Sequence, residues 1–492
     1  MTKRVSSIYL KTLIILLGGI KVKKKNNNKF MLPPNRQPFR KLTRRDFVQA
    51  SAILAGAGVL STFNGLPVFA KANMDELMPM FAKANIDWKQ ASGTEIVVGG
   101  LQHPWFEKHS PFLDSFTELT GITVKHEIQS DTEYVTEIPV KLGGGSTTPD
   151  VYMVWALGQS VAAGWLEPLD GYYNDPNLTD LSWYDLGDVF NSAKAFPVWA
   201  ADNVTYGMSV TAEAETLFTN KTMFDKAGLA IPKTMNELYD AAVALNTGDQ
   251  AGIVLRGKAA GDAVTWPGGG FIFSYGGAIV DANGEIAFDS QEAMEAIDMY
   301  GKICRDGGPI GIGSYHWFEC LTEFMEGRSA MGLDSSNFAT DFANPEKSKV
   351  ADTTVYGAMP SAPGQTSAKP NMWHWMIGMN ANSAQKKAAW LFMQWVTSPP
   401  TSLMTSSLGL ATTRKSAWSS GDFTDAFGSQ AAEASLSNLS NADGDLFKYA
   451  WFHPEAGAIL DQVAIALNSS INGENVEKVV KKAADKARKA IS

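Results

Sequence analysis

The stretch from Val204 to Leu229, VTYGMSVTAEAETLFTNKTMFDKAGL, constrains the fold more than any other part of the chain. It opens as a strand over Tyr206 to Val210 and meets a small polar run with two carboxylates, Glu213 and Glu215. It then resumes as an apolar strand through Leu217 and Phe218, and Asn220 caps a helix that gives way at Ala227-Gly228, ahead of Pro232. A strand broken by carboxylates makes poor core, because burying them unpaired costs several kcal/mol. It suits a crossing between two lobes, where the carboxylates would line a wet cleft.

Two lobes also fit the length. A chain of 492 residues, 45% of them hydrophobic, can bury two substantial cores. Its net charge of −9 hides an asymmetry. Residues 1–72 hold 14 of the 42 Lys and Arg but a single acid, Asp46, out of 51, which leaves the remainder at −22. So acidic a body argues against nucleic acid or an anionic membrane as partner.

The basic N-terminus reads as an address. Thr43-Arg44-Arg45-Asp46-Phe47-Val48 matches the twin-arginine export pattern; a mild apolar run to Phe63 and small-residue cleavage options near Ala70 and Ala72 follow. With no Cys near the cleavage region, a free periplasmic protein is expected, without a lipid anchor. The apolar run Thr12 to Ile20 is too short to span a bilayer, and residues 1–30 are expected to be disordered, with translation starting at Met31.

Beyond the leader, Glu95 to Gly99 reads as a buried strand. The loop Gln102-His103-Pro104-Trp105-Phe106, an amphipathic helix with Phe112, Phe116 and Leu119, a stop at Gly121 and a second strand over Ile122 to Ile128 follow. That order is a right-handed parallel crossover, and ligands of such sheets sit beyond the carboxyl ends of the strands. His103 and Trp105 are therefore candidates by position. Leu142 to Pro149, LGGGSTTP, lacks the Gly-Lys-Ser/Thr ending of a phosphate loop and precedes a strand instead of following one. Asp281 to Glu285 and Asn441 to Asp445 both fail the calcium-loop spacing. In Trp373-His374-Trp375, alternation places both tryptophans on one face of a strand and the histidine on the other.

Many short motifs in one order resemble the extracellular solute-binding proteins of the maltose-binding type, the sugar-binding components of ABC importers. They are Pro149-Asp150-Val151, Ala163-Gly164-Trp165-Leu166-Glu167-Pro168-Leu169, the crossover with Leu217-Phe218-Thr219-Asn220-Lys221 and Ala227-Gly228-Leu229, Thr234 to Leu238, Phe324 to Met331, and Leu408 to Arg414. The resemblance covers about residues 94–492. It implies an α/β periplasmic-binding-protein fold whose two discontinuous lobes are joined by crossover hinge strands. Lobe one would be 93–210 and 334–396, lobe two 214–332 and 398–492, with the second crossing at Phe324 to Asp334. Ligand contacts implied by position in the family are Trp155 at the end of the third strand, Glu213, Glu215, Trp266 in Thr265-Trp266-Pro267, Asp334, and at least one of Trp373, His374 and Trp375. Arg414 would pair with one of the carboxylates or bind a hydroxyl. Where the family's oligosaccharide binders carry aromatics, this chain has Asn337 and Ala263, which suggests a small ligand.

The chemistry is that of binding. Hydroxyls need paired acceptors and donors, and carboxylates supply strong charge-assisted acceptors. The family implies no cofactor, an inner-membrane permease pair with its ATPase as partners, the twin-arginine translocase during export, and a monomer. Rival readings are a secreted carbohydrate-active enzyme with a carboxylate pair and a chemoreceptor-linked binding protein. Against the enzyme, no nucleophile elbow, metal signature or Ser-His-Asp order stands out. Cys304 and Cys320 could form a disulfide in an oxidising compartment, although twin-arginine substrates fold before export.

Overall fold

The computed structural model describes residues 78–491; the export signal and the N-terminal extension read from residues 1–72 lie outside them. Strands β1 (Glu95–Leu101), β2 (Thr123–Gln129) and β3 (Val151–Val154) build a parallel half-sheet in which β1 is flanked by the other two. The intervening helix Leu113–Thr120 stops at Gly121, whose φ of 71° is a left-handed cap that a side chain would strain. A ribbon of β4 (Val198–Trp199) and β5 (Val204–Thr205) leads into β6 (Met208–Ser209).

The chain then leaves this sheet. β7 (Glu213–Asn220) is the centre of a second sheet with β8 (Met331–Ser335), β9 (Thr354–Gly357) and β10 (Met372–Trp373), all antiparallel to it. It returns through β11 (Met376–Met379), which pairs with β3 and β6, so the first sheet has the order β2-β1-β3-β11-β6. The first two crossings are therefore residues 210–212 and 374–375. Asn220 caps the helix Lys221–Ala227 through Met223 N–H at 3.3 Å, and Gly228 closes it with φ 66°, as expected.

Three expectations need correction. The polar run does not interrupt a strand: β7 starts at Glu213 and is buried along its whole length, because β8 and β10 supply partners to its backbone. The second crossing is not at Phe324 to Asp334, since β8, β9 and β10 all stay on β7, and the chain leaves β10 only after Trp373. Nor does the chain enter the second lobe at 398. The helix Pro399–Ser406 packs on Pro104–His109, Arg414 bridges to Val189, and only the helix Ser429–Asn441 lies on β7 and β9.

The helix Lys386–Val396 carries Leu391, Phe392 and Trp395 fully buried against the first sheet. Just outside the helix, the Ser383 hydroxyl donates to Asp150 at 2.6 Å and accepts Gln385 N–H. Cys304 and Cys320 are both buried free thiols, each with its pKa pushed up by burial.

Candidate functional site

The crossing strands collect the carboxylates. Glu213 lies in register with Trp373 on β10, and Glu215 with Ser335 on β8. The Glu213 carboxylate accepts the Ser335 hydroxyl at 2.7 Å and the Thr211 hydroxyl at 3.2 Å, and His103 Nε2 stands 3.8 Å from its Oε1. His103 is held from behind, as the N-cap of Pro104–His109: its Nδ1 accepts Trp105 N–H at 3.0 Å. Its ring also lies 5.5 Å from Trp375, which is 5.2 Å from Trp373. His103, Glu213, Trp373 and Trp375 thus form one cluster where the two lobes join.

Asp334 is differently placed. Arg256 Nε and Nη2 donate to its two oxygens at 2.9 and 2.5 Å, and the Ser335 N–H adds a third bond at 2.7 Å. Burial alone would lower the Arg256 pKa, but Asp334 outweighs it and holds the guanidinium protonated. The same guanidinium lies 4.9 Å over the Trp266 ring, and Trp266 Nε1 donates to the Met372 carbonyl at 3.4 Å. A bidentate pair stacked on an aromatic is a rigid, fully directed arrangement.

Glu215 is wholly buried. Among the described residues its Oε2 accepts only the Asn371 N–H, at 3.3 Å, and its Oε1 has no partner. Burial pushes its pKa well above the usual carboxylate range; the Asn371 bond and Arg256 oppose this and Asp334 adds to it. Asn337 Oδ1 and Trp373 Nε1 are also buried without a partner among the described residues. Buried polar groups are nearly always bonded, so unpartnered ones call for a reason. These three lie on β7, on its partner β10 and in the turn after β8; others, among them Trp395 Nε1 and Arg414 Nη2, lie elsewhere.

Trp155, directly after β3, is half-buried and makes no ring contact or side-chain hydrogen bond with the described residues. That leaves an indole available where strand ends meet the cleft. Across the lobes, Trp317 Nε1 donates to Asp131 Oδ2 at 3.3 Å, tying the helix Trp317–Met325 to Asp131–Gly143.

Three expected contacts are not brought to this cluster. Trp105 is 1% exposed and packs on Phe106 and His109 in the first lobe's core. His374 turns to the other face, between Thr211 O at 3.0 Å and the Ser192 hydroxyl at 3.1 Å, and burial lowers its pKa to about 4. Arg414 meets none of the three carboxylates: it donates to Thr397 O and Asp185 O, lies 3.7 Å from Asp188 and covers the Tyr184 ring. Sequence reasoning missed Arg256, Ser335 and Trp317. For Arg256 a signal existed, since Ile253-Val254-Leu255 is an apolar run ending in a cation, as Met331-Gly332-Leu333 ends in Asp334. A parallel bridge between Val254 and Gly332 sets the two runs level.

The comparisons with known proteins agree with this architecture. The sequence profile of the bacterial extracellular solute-binding proteins matches residues 101–401. The erythritol/L-threitol-binding protein of Mycolicibacterium smegmatis is 27% identical over 381 residues, 73% of this chain and 78% of that protein. The mannitol-binding protein of Pseudomonas aeruginosa is 32% identical over 245 residues, 48% of this chain and 53% of that protein. Among solved structures, a solute-binding protein of an ABC transporter from Agrobacterium radiobacter, in complex with ribitol, superposes with a TM-score of 0.72 at 24% identity. That match covers 81% of this chain and 99% of the other. With two lobes, strands that cross between them and a profile match over most of the folded body, the chain belongs to the bacterial extracellular solute-binding proteins of ABC importers.

Proposed function

We propose that the chain is a periplasmic receptor for a small acyclic polyol, which it delivers to an ABC importer. The observation that carries this is the set of buried, unpartnered polar atoms at the crossing: Glu215 Oε1, Asn337 Oδ1 and Trp373 Nε1. An unmet buried group costs about 1–3 kcal/mol, and a ligand with several hydroxyls, each both donor and acceptor, would meet all three. Glu213 and the Arg256–Asp334 pair add charge-assisted partners, and Trp155 offers a face for the C–H side of the ligand. The relatives point the same way, toward erythritol, L-threitol, mannitol and ribitol. Asn337 and Ala263, in place of the aromatic platforms of oligosaccharide binders, favour a short ligand.

In this reading the lobes close on the ligand, with Trp155 and His103 from the first, Asp334, Trp266 and Asn337 from the second, and Glu213, Trp373 and Trp375 at the crossings. The protein leaves the cytoplasm through the twin-arginine translocase, works as a soluble monomer without a lipid anchor, and hands its ligand to a permease pair with an ATPase. Binding, and no bond cleavage, is its activity. A thermal-shift screen of purified protein against erythritol, ribitol, mannitol, glucose and maltose tests this. A polyol at 100-fold its dissociation constant should stabilise by about 2.7 kcal/mol. Stabilisation by maltose and by none of the polyols would refute it.

A further inference from the structure

The carboxylates at the crossing differ in company. Glu213 accepts two hydroxyls, and Asp334 takes both arms of Arg256. Glu215 has one long bond to a backbone N–H and one oxygen with no partner, although it is wholly buried. The helix Thr265–Ser274 lies directly on it: a Cβ at Gly270 would come within 1.8 Å of Glu215 Oε2, so only glycine fits there. Neither that helix nor the segment Asn371–Trp373 carries a titratable residue. The ionisable groups facing Glu215 from other elements are Asp334 on β8, Arg256, and Tyr300 on the helix Gln291–Gly307; Glu213 lies on its own strand. Arg256 is spent on Asp334, and the Tyr300 hydroxyl donates to the Arg256 carbonyl at 2.6 Å. No cation therefore pairs with Glu215 among the described residues.

An ionised carboxylate in that setting would be a buried, uncompensated charge, the arrangement proteins avoid by holding the proton. A neutral carboxylic acid carries one O–H donor and keeps acceptor capacity. It can therefore meet a hydroxyl from either side. Resting on the polyol reading above, we propose that Glu215 is a specificity-determining residue that meets the ligand as a neutral acid, donating from Oε1 to a ligand hydroxyl. Glu213, which faces His103 Nε2 at 3.8 Å, would then be the one carboxylate of the three that is neither neutral nor paired with a guanidinium, because Arg256 balances Asp334. Such a floor does not reward a cationic ligand as two bare carboxylates would, so uncharged polyols are selected over amino-polyols of the same shape.

The test is titration calorimetry with erythritol, ribitol and mannitol on wild type, Glu215→Gln and Glu213→Gln from pH 5 to 9. It is paired with infrared difference spectra of wild type minus Glu215→Gln. A neutral amide can replace a neutral acid, so Glu215→Gln should bind within about threefold of wild type, while Glu213→Gln, which loses a charged acceptor, weakens at least about tenfold. Wild-type affinity should fall on the alkaline side, and that of Glu215→Gln should not. The infrared spectrum at pH 7 should carry a protonated-carboxyl band that shifts when polyol binds, which a merely structural acid would not show. Equal losses in the two variants, or no such band, would overturn the proposal. Should Glu215→Gln fail to fold, the wild-type band and its loss on alkaline titration decide the question. A wild type that binds none of the polyols sinks the polyol reading instead, and the role of Glu215 with it, whatever the band shows about its proton.

Discussion

Replacing Arg256 by Met should be the most damaging single change at the site, and its size follows from the geometry. Asp334 is 2% exposed, and the substitution removes both guanidinium bonds, at 2.9 and 2.5 Å, leaving the Ser335 N–H at 2.7 Å as its remaining partner. Breaking a buried ion pair on one side costs about 3–5 kcal/mol, mostly as the stranded charge. Losing the cation over Trp266 adds about 1 kcal/mol, while the thioether chain keeps much of the volume filled. A loss of about 5 kcal/mol is expected. Urea unfolding of unliganded protein, followed by circular dichroism and tryptophan fluorescence, measures it. The double variant Arg256→Met/Asp334→Asn carries no stranded charge and should recover about 2 kcal/mol of the loss. A single variant that loses less than about 1 kcal/mol, or a double variant no more stable than the single, would refute the idea that these residues act as a closed pair.

Trp155→Ala should weaken polyol binding by about 2–4 kcal/mol and leave the unliganded melting temperature nearly unchanged, because the indole makes no ring contact or side-chain hydrogen bond with the described residues; calorimetry and thermal melts together check this. Trp317→Phe keeps the ring but removes the bond to Asp131, so it should weaken every ligand by the same factor, roughly fivefold, and a changed preference among ligands would count against a pure closure role. The folded pKa values of His126 and His374 are lowered to about 4 by burial. The unfolded chain therefore binds more protons than the folded one between about 6.5 and 4, and stability should drain away as pH falls through that window. His374→Gln should flatten the profile in urea melts. Finally, the double variant Arg44→Lys/Arg45→Lys should hold folded, binding-competent protein in the cytoplasm, as cell fractionation would show.

What the sequence conveyed and what it withheld divide along a physical line. Local patterns were readable: the Asn220 cap, the Gly121 and Gly228 stops, and the alternation that sends His374 away from Trp373 and Trp375 all depend on neighbours within a few residues. The crossings were harder, because a short apolar run ending in a carboxylate reads alike whether it leaves a sheet or completes one. Met331 to Asp334 is such a run, and only its register on β7 shows that it stays. The two buried arginines make the same point. Arg256 reaches Asp334 because Val254 lies beside Gly332, 78 residues away, while Arg414 is consumed by carbonyls of 185 and 397. The apolar run before Arg256 marks it as the end of a strand, but nothing local to either arginine names its partner. Glu213 and Glu215 are the sharpest case, two identical side chains on one face of one strand. Their difference in surroundings is set from outside the strand, by two hydroxyls over one and a glycine helix pressed on the other.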